Sequence, residues 1–120
     1  LKSGEAKIIN KKNHFFSRIH LEDISNILSN SLIQLKKNEI YNISDDKPAS
    51  AEEVAMYGAK LLGVDKPKTI AINEIESEML KGFYRDSKKV DNKKMKKIFN
   101  CKLKYPTYVE GLNYIFNNII

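Results

Sequence analysis

The sequence predicts a mixed α/β domain in which a small sheet is flanked by about five helices. Two patterns predict this class. Short segments near the start alternate with a period of two, as strands do, and longer segments repeat apolar residues every three or four positions, as helices do. A length of 120 residues allows one domain with a modest core. We therefore treat residues 1–120 as a single domain.

The first strands are predicted over residues 6–12 and 15–20, with a turn at Asn13, a residue type that tolerates left-handed backbone. In the second strand Arg18 and His20 lie two positions apart and so project from one face. The period becomes helical directly after His20. The sequence thus places a cationic and a titratable side chain at a strand end, beside the beginning of a helix.

The first helix is predicted over residues 22–35, with Glu22 and Asp23 in the first turn, where the helix dipole favours carboxylates. Its apolar residues recur at helical spacing and predict one buried face. They are Ile24, Ile27, Leu28, Leu32 and Leu35. Residues 39–43 are short, apolar and bounded by turn residues, and we interpret them as a buried strand.

Two capping boxes mark later helices. Ser50 and Glu53 open a helix that Gly63 ends, and Thr107 with Glu110 opens the last helix. Between them the sequence predicts a strand at residues 69–72, a helix at 74–81 and a short helix at 91–99. Asp91 is the predicted cap of the short helix, and Asn100 stands where a glycine would usually stop it. The predicted core at the end of the chain is Tyr105, Tyr108, Leu112, Ile115, Phe116 and Ile119.

Charge and composition restrict the function classes. The net charge of +6 comes almost entirely from lysine, since Arg18 and Arg85 are the two arginines. Base reading and bidentate phosphate binding favour arginine, and the lysines are scattered, so we interpret them as solvated faces rather than a nucleic-acid surface. No apolar run reaches the ~20 residues that cross a bilayer. The lone Cys101 and the lack of a signal-peptide pattern predict a cytoplasmic protein.

Metal binding is not predicted. His14 and His20 lack the spacing of metal ligands. Asp45 and Asp46 are adjacent carboxylates in a loop, and a turn-and-cap role explains them better than a cation site.

Three segments, in order, resemble the extended and atypical short-chain dehydrogenase/reductases, the NAD-dependent epimerase/dehydratase family. Residues 17–24 (Ser-Arg-Ile-His-Leu-Glu-Asp-Ile) are similar to its Arg-x-His-Val-Asp-Asp-x-Ala segment. Residues 41–48 are similar to its Tyr-Asn-Val-x-Asp-Asp-x-Pro segment. Residues 83–112 are similar to its Lys-rich segment, aromatic-Pro pair and final Glu-Gly-Leu helix. Together the three segments cover nearly the whole chain.

The resemblance implies the C-terminal, substrate-binding portion of a Rossmann-type protein of this family, without the nucleotide-binding half. The five glycines are isolated, so there is no Gly-x-Gly-x-x-Gly cradle for a dinucleotide. The family's catalytic Tyr-x-x-x-Lys pair has one match, Tyr84 and Lys88, which lies in the substrate-side region and is interpreted as a coincidence. We therefore predict no catalytic residue and no cofactor bound by this chain alone; NAD(P) is implied for the complete family protein.

Four residues are predicted to bind substrate. Arg18 and His20 would contact an anionic or phosphorylated substrate from their shared face; the simpler alternative is an Arg paired with a nearby Glu and a His hydrogen-bonded at a strand end. Arg85 lies in a loop where many extended members of the family carry a phosphate-binding Arg, and Lys88 lies nearby.

A binding partner is expected because the nucleotide-binding half is absent from this chain. Residues 39–43 and the Ile24 stripe would be covered in a whole enzyme, so alone they would expose apolar surface and an open strand edge. We expect self-association or association with a separate nucleotide-binding chain. Two other functions stay open: a stand-alone oligomeric ligand-binding remnant without enzymatic activity, and a basic nucleic-acid-binding module.

Overall fold

The computed structural model of the chain describes residues 1–34 and 38–120. Within them lie five α-helices, a short 3-10 turn and two strands, so the predicted mixed α/β class is confirmed. In chain order the elements are β1 (Lys7–Asn10), α1 (Leu21–Ile33), α2 (Ala51–Leu62), β2 (Lys68–Ala71), the 3-10 turn (Ile72–Glu74), α3 (Glu78–Phe83), α4 (Lys93–Ile98) and α5 (Tyr108–Asn118).

In the described part of the chain the sheet consists of β1 and β2, which run parallel with Lys7 opposite Lys68 and Asn10 opposite Ala71. Ile8 and Ile9 are both buried. Successive strand residues point to opposite faces, so β1 is covered on both sides, as is usual for parallel strands. Helix α2 packs against both β1 and α5.

Two buried clusters form the core. The first contains Ile27 of α1, Met95, Phe99 and Leu103, with Tyr41 packed against it. The second joins the sheet to the loop after α3. Its buried members are Ile9, Ile75 and Tyr84, and Phe16, Ala51 and Ile70 pack against them.

Residues 15–20 do not form the predicted strand. Within the described residues, this segment makes one isolated antiparallel bridge, between Phe16 and Ala49. The amide of each residue donates to the carbonyl of the other, at 3.1 and 3.2 Å. The same segment also bonds to residue 90 through a side chain, because Ser17 Oγ accepts from the Val90 amide at 2.9 Å. The hairpin prediction was wrong because β1 pairs with distant β2, although Asn13 does adopt the expected left-handed backbone at φ 53°.

The buried strand expected at residues 39–43 is also absent from the described structure. Ile40 is 85% exposed and Ile43 is 38% exposed, so this prediction was wrong. A strand requires a neighbouring strand to bond its amides and carbonyls, whereas the Ile40 carbonyl accepts from a side chain, Lys94 Nζ, at 3.0 Å. The expected end of the first helix at Leu35 lies outside the described residues; α1 itself ends at Ile33.

Predictions based on local caps agree with the structure. The Ser50 hydroxyl accepts from the Glu53 amide, and Gly63 ends α2 with φ 64°. Thr107 and Glu110 form the full capping box of α5. The Glu53 side chain does not complete its own box, because it bonds to Lys47 and Tyr108 instead.

Two other boundaries differ from the sequence prediction. Helix α3 begins at Glu78, after a Ser77 cap, rather than at 74. Asn92, not Asp91, is the cap residue of α4, but the Asp91 carboxylate does accept the Lys93 amide at 2.8 Å. Asn100 adopts φ 45°, the left-handed conformation that its position after α4 predicted.

The core prediction for the last helix was partly right. Tyr105 and Tyr108 are buried, whereas Phe116 is 37% and Ile119 71% exposed. Leu28 and Leu32, on the expected buried stripe of α1, are also exposed. In the part of the chain that the structure describes, no helix is long and apolar enough to cross a membrane.

Candidate substrate pocket

A cavity of about 130 Å³ lies where residues 18–20 meet α2 and α5. Its polar side chains come from three separate segments of the chain, and most of its wall is apolar. The polar ones are Arg18, His20, Asp45, Thr107 and Tyr108, and the apolar ones are Ile19, Val54, Leu112 and Ile115. Arg18 and His20 therefore line one cavity, even though the segment that carries them is not a strand. We refer to this cavity as the Arg18 pocket.

Arg18 is fixed by its backbone and by one side-chain bond. Its carbonyl accepts from the Asp45 amide at 2.7 Å, and its Nη1 donates to the Ala49 carbonyl at 3.2 Å. Burial lowers the pKa of the guanidinium, and the carboxylates of Asp45 and Glu53 oppose that shift. A guanidinium stays protonated at neutral pH and has five N–H donors. Since the described residues take one of them, Arg18 can bind an anion entering the pocket.

Asp45 is the buried acid of the pocket, with 4% of its surface exposed. Its Oδ1 accepts from the Lys47 amide at 3.0 Å, the turn role expected from the sequence. Burial raises the pKa of the carboxyl, while the Lys47 bond and the charge of Arg18 act in the opposite direction. Within the described residues no carboxylate lies within ion-pair distance of Arg18. The ion-paired alternative for this arginine is therefore not observed.

His20 holds the beginning of α1. Its Nδ1 accepts from the Glu22 amide at 3.2 Å, so the imidazole serves as the helix N-cap. The ring packs on Tyr105 with centroids 3.9 Å apart and meets Tyr114 edge-on at 6.0 Å. Nδ1 is occupied in this way, and Nε2 is the nitrogen left for a ligand. The simple alternative, a hydrogen-bonded histidine, thus accounts for Nδ1 and leaves Nε2 unassigned.

The other two predicted residues lie elsewhere. Lys88 lines a second cavity of about 230 Å³, together with Phe15, Phe83 and Asp86. Arg85 is exposed at the end of α3, where its carbonyl accepts from Lys11 Nζ at 3.4 Å. Among the residues described, neither Arg85 nor Lys88 is part of the Arg18 pocket. The four predicted residues therefore do not form one site.

Sequence reasoning missed the network around Tyr108. The Tyr108 hydroxyl donates to Glu53 Oε1 at 2.8 Å, and Lys47 Nζ lies 2.9 Å from the same oxygen. The bond from Lys47, followed by that from Tyr108, lowers the pKa of Glu53, and burial raises the pKa of Tyr108. Tyr108 was expected to be core and Glu53 a cap residue. No local pattern could indicate that α2 and α5 bring them together.

Other chemistry is limited in the described residues. Within residues 1–34 and 38–120, no group of three or more His, Cys, Asp or Glu side chains could hold a metal ion. Cys101 is half-buried, and burial raises the pKa of its thiol. A thiol held in its protonated form is a poor nucleophile.

No family model and no curated protein matches the sequence. Solved structures similar to it include the following two. A conserved protein of unknown function from Silicibacter pomeroyi is 33% identical, with a TM-score of 0.90 over 96% of this chain and 42% of that one. The human epimerase family protein SDR39U1 (isoform 2), solved with NADPH, is 18% identical, with a TM-score of 0.75 over 98% of this chain and 41% of that one.

The chain has an epimerase-like fold. The resemblance found in the sequence is thus confirmed for the fold, because the human protein has this fold at 18% sequence identity. The chain spans about two fifths of the length of each of these two structures. In this epimerase-like fold, the motif segments at residues 17–24 and 41–48 supply Arg18, His20 and Asp45 to one pocket.

Proposed function

We propose that the chain is the substrate-binding C-terminal portion of an NAD(P)-dependent epimerase/dehydratase or reductase-like protein. In this proposal it completes a pocket with a nucleotide-binding half and is not catalytically competent alone. NAD(P) binds to that other half. The fold likeness to a protein solved with NADPH, and the two-fifths coverage of both structural neighbours, support the assignment.

The observation that carries the proposal is an uncovered apolar surface on two neighbouring segments. Leu28, Leu32 and Ile33 of α1 are 59%, 76% and 83% exposed, and Ile40 is 85% exposed. Tyr41 packs against the cluster that contains Ile27, so residues 39–43 and α1 share one buried cluster. Large exposed apolar residues on adjoining segments indicate an interaction surface. A segment that lies outside the sheet at such a surface can add as a strand to the sheet of a partner.

The Arg18 pocket supplies the proposed binding chemistry. The guanidinium of Arg18 would hold an anionic group of the substrate, His20 Nε2 would offer a further polar contact, and the apolar wall would take an uncharged part. Asp45 balances the positive charge when the pocket is empty. Lys88 stays a proposed substrate contact in the cavity that it lines with Phe15 and Phe83, and Arg85 stays a proposed contact on the exposed surface.

The test is co-expression of this chain with the part of the Silicibacter pomeroyi protein that it does not cover. Native mass spectrometry should detect a one-to-one complex that carries NADPH, whereas this chain alone should carry none. Ile40→Asp places a charge on the uncovered surface and should abolish the complex. Met79→Asp is the matched control, because Met79 is 74% exposed on α3, away from that surface.

Two results would contradict the proposal. One is a chain that binds NADPH by itself, since the nucleotide would then not need a second half. The other is the absence of a complex with both the parent chain and the control variant. A homo-oligomer without nucleotide would instead favour the stand-alone remnant, which the same uncovered surface could form by pairing with a second copy.

A further inference from the structure

A third cavity, separate from the Arg18 pocket and from the cavity beside Lys88, lies where residues 1–6 face the linker between α2 and β2. Its volume is about 330 Å³. Its charged lining residues are three lysines and one aspartate, Lys2, Lys66, Lys68 and Asp65. We refer to it as the lysine cleft. It has no lining residue in common with the Arg18 pocket.

The sheet register adds a fourth lysine at the edge of this cleft. Lys7 pairs with Lys68, and both are exposed. Partners in parallel register project from the same face, and neighbouring strands lie about 4.8 Å apart. Two like charges side by side on one face repel each other. An anion bound between them would relieve that repulsion.

The charge of the cleft is not balanced by the protein. Within residues 1–34 and 38–120, none of the four ammonium groups has a carboxylate within ion-pair distance. Asp65 lines the same cavity without pairing to any of them. Elsewhere five lysines do have carboxylate partners, at 2.7–3.1 Å. The lysine cleft therefore combines concave shape with uncompensated positive charge.

We propose that the lysine cleft binds a small anion that carries two or more phosphate groups. Lysine is a compact point charge that suits phosphate oxygens without demanding one orientation. The cleft is at the lower end of the volume range of small-molecule sites, roughly 300–1,000 Å³, which fits a diphosphate better than a large ligand. This site does not depend on the proposed function.

The test is calorimetric titration of the full chain with inorganic pyrophosphate at physiological salt. Lys66→Gln/Lys68→Gln removes two charges from the cleft and should weaken binding by about tenfold or more, since each ammonium–phosphate contact is worth several-fold in affinity. Lys93→Gln/Lys97→Gln removes the same net charge from exposed positions of α4 and should leave binding within about twofold. The first variant replaces side chains at the surface of the cleft, so it should keep the parent's circular dichroism spectrum.

A parallel titration with adenosine diphosphate identifies the source of the phosphates. Equal affinities would assign the free anion as the ligand, and tighter binding of the nucleotide would assign a nucleoside diphosphate; both support the site. Equal weakening by the two double variants would overturn it, because binding would then follow overall charge. The absence of saturable binding at physiological salt would overturn it as well. None of these results bears on NADPH binding by the co-expressed complex.

Discussion

At the scale of single residues, the contact with His20 explains why position 111 in α5 is a glycine. A Cβ at this position would lie 3.1 Å from His20 Cδ2, closer than ordinary van der Waals contact. The imidazole cannot easily retreat, because it packs on Tyr105 and caps α1 through the Glu22 amide. Gly111 thus keeps the space in which His20 reaches both the helix and the Arg18 pocket.

We expect Gly111→Ala to lower the free energy of unfolding by about 1–2 kcal/mol, because the cost of overpacking exceeds the gain in helix propensity. Gly82→Ala is the matched control. Gly82 is in α3, and a methyl group there would have no atom within 4 Å, so this variant should gain about 0.5–1 kcal/mol. Urea unfolding of both variants measures the difference. Equal effects would mean that His20 does not restrict position 111.

Asp45 predicts a pH dependence with a definite sign. Burial raises its pKa in the folded chain, so its contribution to stability is full below the unfolded pKa and is lost as the pH rises through the folded pKa. Asp45→Asn keeps an oxygen for the Lys47 amide and removes the buried charge. The variant should therefore be more stable than the parent at pH 7, and the two should converge in acid. Urea midpoints at pH 7 and at about pH 3, below the usual aspartate pKa, test this; a difference independent of pH would contradict it.

At the scale of elements, Asp23 joins α1 to the segment that precedes α5. Its carboxylate is 3% exposed and accepts from the amides of Lys104 and Tyr105 at 2.8 and 2.9 Å. Two backbone donors of a distant loop are satisfied by one side chain in the first turn of a helix. The position of α1 relative to α5, and with it one wall of the Arg18 pocket, depends on this pair of bonds.

Asp23→Asn should cost about 2–4 kcal/mol, because an amide accepts one of the two backbone bonds and leaves the other donor buried without a partner. The midpoint of urea unfolding should fall while the denaturant slope stays unchanged. Glu22→Gln is the control at the adjacent position. Its side chain is exposed and bonds to Lys104 Nζ, so its replacement should have a much smaller effect. Losses of similar size in both variants would argue against the role given to Asp23.

Elements specified by local chemistry were predicted well from the sequence. Helix α2 begins after Ser50 and ends at Gly63, and α5 begins at its capping box, because a cap needs only residues three or four positions apart. Two strands, predicted at residues 6–12 and 69–72, are present as β1 and β2, whereas two others are not. Residues 15–20 and 39–43 have strand patterns, but a strand exists only where another strand lies beside it and bonds to its backbone.

The same distinction explains the candidate site. Arg18 and His20 were placed together because two positions along an extended chain point the same way. Asp45, Glu53 and Tyr108 come from other segments, and their meeting depends on how α2 packs on α5. Lys88 was proposed as a substrate contact beside Arg85, and the structure puts it in another cavity than Arg18.

At the scale of the whole molecule, the exposed face of α1 predicts concentration-dependent association. Leu32 and Ile33 are 76% and 83% exposed on a chain of 120 residues. Contact between two such faces removes apolar area from water, at roughly 25 cal/mol per Å². Sedimentation velocity should show growing species as the concentration rises. Leu32→Asp/Ile33→Asp should suppress them, and Met79→Asp should not; a parent chain that stays monomeric at high concentration would contradict this.

The parallel pairing of β1 with β2 has a consequence for the order of synthesis. Residues 7–10 leave the ribosome long before residues 68–71 exist, so Ile8 and Ile9 must wait without their strand partner while α1 and α2 are made. Helices form from local contacts, whereas this sheet closes a long loop and so forms late. A nascent chain interrupted before Ala71 would carry an unpaired apolar strand. Such chains are the ones that aggregate or recruit chaperones.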